Sequence, residues 1–134
     1  MKDILVPLSP GELLDKITIL RIKSLRIGDV AKLAHVKLEL DLLERIWRES
    51  GASDSAVTAD EHELQRVNES LWDIEDRIRE KEAQQLFDRD FIELARAVYV
   101  TNDERAAIKK RINLQLGSRI LEEKSYRSYR ADTP

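Results

Sequence analysis

The chain has no cysteine, which excludes a disulfide framework, a thiolate nucleophile and any Cys-ligated zinc or iron–sulfur centre. Chain-breakers are scarce, with four Gly and three Pro in 134 residues, against an ordinary combined share of about 12%. Aromatics make up only 5%. No apolar run approaches the roughly 20 residues that a membrane-spanning helix needs. The opening Met1-Lys-Asp-Ile-Leu-Val-Pro-Leu8 is too short and too soon interrupted to read as a secretory signal. Net charge is −3 and the pI is near 5.5, which argues against non-specific nucleic-acid binding. No Walker loop, G-x-G-x-x-G or G-x-S-x-G elbow is present, and His35 and His62 stand in no metal-ligand spacing. The expectation is a cytoplasmic protein with no cofactor, metal, membrane or nucleic-acid partner, and the balance leans against an enzyme.

What is abundant is charge, at 37% of residues, interleaved with Leu, Ile and Ala. That mixture favours helices over a loop-rich β fold. Residues 1–8 read as an extended arm or short edge strand. Ser9-Pro-Gly-Glu12 is a helix start, with Ser9 as cap, Pro10 in the first turn and Glu12 at the capping-box position. The first helix is expected to reach about residue 27, burying Leu13, Leu14, Ile17, Leu20 and Leu25, with Gly28 as its C-terminal cap. A second, about 29–49, carries Val30, Leu33, Leu40, Leu43 and Trp47. Val36, Leu38, Leu42 and Ile46 widen that stripe and imply burial against more than one neighbour.

Residues 51–58 read as a mobile linker. Thr58-Ala-Asp-Glu61 is a second capping box opening a helix to about residue 85, with a heptad seam of Leu64, Val67, Leu71, Ile74 and Ile78. A fourth helix, about 88–100, buries Phe91, Leu94, Ala95 and Val98. Thr101-Asn-Asp-Glu104 reads as a third capping box that opens a fifth helix carrying Ile108, Ile112 and Leu116 to Gly117. Residues 118–124 suit another turn or two, and 125–134 form a polar, tyrosine-containing tail. The pattern predicts one all-α domain over 1–134, an antiparallel bundle of about five helices with a short extended arm.

Three constellations have side chains suited to chemistry. Glu12, Asp15, Lys16, Thr18, Arg21 and Lys23 share the first helix. Glu12 and Asp15 stand at i, i+3, the spacing at which facing helices hold Mg²⁺ in all-α nucleotide pyrophosphohydrolases. Asp41/Glu44 and Asp73/Asp76 repeat it, although so acidic a chain produces such pairs by chance, and Glu12 already serves as a cap. Asn68, Trp72, Glu75, Asp76 and Arg79 form one stripe of the third helix. It suits a groove floor, or an i, i+4 surface pair of Glu75 and Arg79 beside a packed indole. Asn102, Asp103, Arg105, Lys109, Lys110, Arg111 and Asn113 suit an anion site at a helix start, or a solvated basic face. A helical chorismate-mutase arrangement using Arg21, Arg26, Lys32 and Lys37 does not match in spacing.

Ser9-Pro-Gly-Glu-Leu-Leu-Asp-Lys-Ile-Thr-Ile-Leu20, Val67-Asn-Glu-Ser-Leu-Trp-Asp-Ile-Glu-Asp76, Phe91-Ile-Glu-Leu-Ala-Arg-Ala-Val-Tyr99 and Glu122-Glu-Lys-Ser-Tyr126 together resemble a bacterial all-helical family of unknown function. The resemblance spans nearly the whole chain. It implies a context of polysaccharide or glycosyltransferase functions and supplies no catalytic residues. The expected function is a non-enzymatic interaction or assembly module, a homo-oligomer or partner of another protein, meeting its partner through the third helix and the arm. The alternative is a small-molecule enzyme or sensor, hydrolysing nucleotides with Mg²⁺ or binding an anion. Its groove between the first and third helices would be lined by Glu12, Asp15, Lys16, Asn68, Trp72, Glu75 and Arg79.

Overall fold

The computed structural model describes residues 1–52 and 55–130. Four α-helices carry the fold: α1 (Pro10–Arg26), α2 (Val30–Glu49), α3 (Thr58–Ala83) and α4 (Arg89–Gln115). A single 3-10 turn, Ser55–Val57, precedes α3, and there is no strand among the described residues. The arm before Ser9 is exposed and irregular.

Local capping chemistry decides three of the helix starts. Ser9 Oγ accepts from the Glu12 N–H (3.2 Å), Asp29 from Lys32 (2.9 Å) and Asp88 from Phe91 (3.0 Å), each filling an orphan donor of a first turn. Two glycine-like ends are also local. Gly117 has φ +67°, with Ser118 N–H donating to Asn113 O (2.9 Å) and Gly117 N–H to Leu114 O (3.3 Å), a Schellman end. Gln85 ends α3 in the same way at φ +55°, a left-handed position held by a residue with a Cβ. Gly28, by contrast, is not left-handed; the backbone turns extended at Ile27 instead.

Two expected starts are corrected. Thr58 does not cap α3: the residue before the helix is Val57, and no side chain caps it. Val57 is pinned in the core at 2% exposure, so apolar burial and the 3-10 turn set the entry. The expected linker thus contributes to the core at its end, while residues 53 and 54 lie outside the described residues. Thr101-Asn-Asp-Glu104 starts nothing: α4 runs through it without a break, giving four α-helices among the described residues where about five were expected. Thr, Asn and Asp cost only a few tenths of a kcal/mol each inside a helix, and a break would forfeit the pairing of α4 with α3. Residues 118–124 make no further helical turn. Residues 131–134 of the expected tail lie outside the described residues.

The α3/α4 hairpin is antiparallel. Arg111 reaches Asp60 (2.9 Å) and Glu63 (2.7 Å) near one end, and Lys81 reaches Asp88 (2.8 Å) near the other. α1 docks on this hairpin and packs against α2, α3 and α4 alike; α2 packs chiefly on α1. Leu13, Leu14, Ile17, Trp47, Val57, Leu64, Val67, Ile108 and Ile112 form the core. Fully burying a side chain such as Leu14 or Ile17 contributes roughly 1.5–3 kcal/mol. Among the described residues, no helix is long and apolar enough to cross a membrane.

The wide face of α2 is only half used. Arg21 pairs with Glu44 (3.2 Å), which places Glu44, about 21 Å from the start of α2, beside a residue about 8 Å from the end of α1 at 1.5 Å per residue. The first turns of α2 therefore overhang α1. Leu25 and Val30, expected in the core, are each 83% exposed. Leu38 and Ile46, expected to be buried against a further neighbour, are also exposed.

Candidate functional site: a polar cluster between α1, α3 and α4

Gly11, Asp15 and Thr18 lie at i, i+4 and i+7, so they share the face of α1 that meets α4. Arg105, Lys109 and Asn113 repeat every four residues on α4 and look back at them. The helices approach closely because Gly11 has no side chain: a Cβ there would stand 2.5 Å from the backbone oxygen of Lys109 and 2.8 Å from Asn113 Oδ1. The Gly11 N–H donates to that Asn113 oxygen at 2.7 Å, so an orphan donor of the α1 first turn is satisfied across the interface.

Asp15 is the centre. It is 1% exposed and accepts from Arg105 in a two-pronged pair, Nε to Oδ1 at 2.9 Å and NH2 to Oδ2. Asn68, itself buried on α3, donates through Nδ2 to Asp15 Oδ1 and to Thr18 Oγ1, both at 2.9 Å. Lys109 joins Glu12 (2.5 Å), Glu122 (3.0 Å) and, more distantly, Asp15 (3.8 Å). The second half of the capping box is therefore not made by Glu12, whose carboxylate turns to Lys109 and, at 3.8 Å, to Lys16.

These contacts hold the charged states. Burial pushes the Asp15 carboxyl up, but Arg105, Asn68 and Lys109 together outweigh it and its pKa falls below the usual range. Burial likewise works against the Lys109 ammonium, and its hydrogen bonds to Glu12 and Glu122, with the nearby Asp15 charge, raise its pKa overall. The Lys109 ammonium holds Glu122 below its ordinary value.

Of the residues singled out in the sequence, Glu12, Asp15 and Asn68 come together here, with Lys16 exposed at the edge. Trp72, Glu75 and Arg79 do not join them. Arg79 lies about 16 Å along α3 from Asn68 at 1.5 Å per residue. It forms an exposed i, i+4 pair with Glu75 (3.2 Å), while Trp72 lies under the Arg26 guanidinium, 5.9 Å from the ring centre. Glu44 and Asp73 serve as ion-pair partners of Arg21 and Arg26. Among the described residues, no three His, Asp or Glu side chains gather as a metal-holding group.

Parts of all three constellations meet in this cluster, Glu12, Asp15 and Thr18 from the first, Asn68 from the second, and Arg105, Lys109 and Asn113 from the third, whereas Arg21 and Arg111 pair elsewhere. Arg105, Lys109 and Asn113 lie within α4 rather than at a helix start, and their i, i+4 spacing is the signal that they share one face. Gly11 and Glu122 gave no such signal.

A family model covers residues 4–134, the whole of this cluster included. The chain belongs to DUF6165, a family of unknown function. No curated protein and no solved structure matches it. The DUF6165 match brings no activity with it. As they stand, both carboxylates at the α1–α4 contact are neutralised by cations from α4. The void beside Lys109, lined by Asn113, Leu121 and Glu122 among others, measures about 20 Å³, room for about one water molecule.

Proposed function

We propose that this chain is a non-enzymatic interaction module that assembles with a second copy of itself, through the outer side of α2 and the N-terminal arm. The supporting observation is the apolar surface left uncovered there. Ile4, Leu5 and Val6 on the arm, Leu25 at the end of α1, and Leu38 and Ile46 on α2 are between 48% and 88% exposed. Leu38, Leu42 and Ile46 recur every four residues and form one ridge, the kind that packs into the groove of a facing helix. The contact face assigned here differs from the sequence expectation: α3 has no large exposed apolar residue, because α1 and α4 cover it.

The enzyme or sensor reading, with a groove between α1 and α3, has less support. Asn68 fills the space between those helices, and Glu12 and Asp15 already have cationic partners. The polysaccharide or glycosyltransferase context implied by the resemblance is retained as part of the proposal. Light scattering coupled to gel filtration at micromolar concentration tests the self-association. A dimer is expected, and Leu38→Asp with Ile46→Asp should give a helical monomer. A wild-type chain that is strictly monomeric removes the self-association.

A further inference from the structure

After Gly117 the chain turns back along α4 and is tacked down at two places. Glu122 pairs with Lys109 (3.0 Å), and the Tyr129 ring packs on Tyr99 with centroids 5.0 Å apart. Between them lies a groove of about 480 Å³, lined by Tyr99 and Asp103 of α4 and by Lys124 and residues 126–130 of the tail. That volume is within the range of small-molecule sites, about 300–1,000 Å³.

The charge of this groove is one-sided. Residues 124–130 read Lys-Ser-Tyr-Arg-Ser-Tyr-Arg, three cations and no acid, in a chain of net charge −3. Among the described residues, Arg127 and Arg130 form no ion pair with a carboxylate and Lys124 only acts on Glu122 through its charge, whereas Lys109 and Lys110, just beyond the groove, are both paired. Among the described residues, the one acid in the lining is Asp103. Tyr126 is 82% exposed and Tyr129 44%. Each carries a cation 5.9 Å from its ring centre, Lys124 and Arg130 respectively. Guanidinium forks match phosphate oxygens, and an open aromatic face accepts a flat or pyranose ring by stacking.

We infer that this groove binds a small phosphate ester carried on a ring, a nucleoside phosphate or a sugar phosphate. The ring lies on the exposed face of Tyr126, Arg127 and Arg130 hold the phosphate, and Asp103 accepts a hydrogen bond from the ring's N–H or hydroxyl. The inference is independent of the self-association reading, because the groove shares no residue with the α2 ridge.

Isothermal titration of the full chain with AMP, glucose 1-phosphate, adenosine and inorganic phosphate, at about 0.15 M salt to screen loose surface attraction, tests it. At least one ring phosphate should bind about tenfold tighter than inorganic phosphate and adenosine. Preference between AMP and glucose 1-phosphate assigns the ring. Arg127→Ala with Arg130→Ala should weaken binding about tenfold or more without moving the melting temperature. Tyr126→Leu should weaken the ring phosphates and leave inorganic phosphate unchanged. No binding at millimolar ligand, inorganic phosphate binding as tightly as both esters, or unchanged affinity in the double arginine variant overturns the inference.

Discussion

Asp15→Ala is the substitution on which the α1–α4 cluster stands or falls. It removes a carboxylate that is 1% exposed and leaves Arg105, whose side chain is 28% exposed, without its two-pronged partner. Asn68 loses one of its two acceptors. Removing one member of a buried pair costs about 3–5 kcal/mol. Arg105 retains some access to water, which places this case near the lower end, about 3 kcal/mol. For a chain of this size that corresponds to a fall in Tm of about 10 °C. Urea denaturation followed by circular dichroism at pH 7 reads the change as a lower midpoint at unchanged slope. Asp15→Leu combined with Arg105→Met should recover most of the loss, because a well-packed apolar pair avoids the desolvation cost that both charges carry. If Asp15→Ala is neutral or stabilising, the cluster is not a clasp. The desolvation cost of the buried charges would then belong to a site kept for a ligand, as functional sites commonly sacrifice stability.

Because the Asp15 pKa is depressed in the fold, its contribution is present above the unfolded value near 4 and is lost as pH falls through the folded value; acid titration of Asp15→Asn should show a shallower loss of stability in that range. Lys109 is shifted upward, so its contribution holds below about 10.5 and fades as pH rises through the folded value, an alkaline slope that Lys109→Met should remove. Gly11→Ala forces a Cβ against the Lys109 carbonyl and should destabilise by about 1–3 kcal/mol in chemical denaturation. Gln85→Gly relieves the left-handed φ of +55° and should stabilise by about 1 kcal/mol, less whatever the Gln85 side-chain bond to Glu82 O contributes. Glu75→Ala and Arg79→Ala remove an exposed pair, and each should change stability by less than about 0.5 kcal/mol.

The sequence by itself determined what short-range chemistry decides. An oxygen-bearing cap at Ser9, Asp29 and Asp88 meets an N–H three residues away, and that contact forms whatever the rest of the chain does. Gly117 and the apolar period of α1 and α3 are local in the same sense. Thr58 and Thr101 carry the same signal and failed, because a cap is only a preference of about 1 kcal/mol. Burial of Val57 in one case, and the pairing of α4 along α3 in the other, outweighed it. The candidate site divides along the same line. Residue type and spacing mark Glu12 with Asp15, and Arg105 with Lys109 and Asn113, as two charged faces. That they form one cluster, 90 residues apart in the chain, depends on α1 lying against the backbone of α4, which the missing side chain of Gly11 allows. Only the tertiary structure could bring those charges out of water together, because an isolated helix leaves each of them solvated and free.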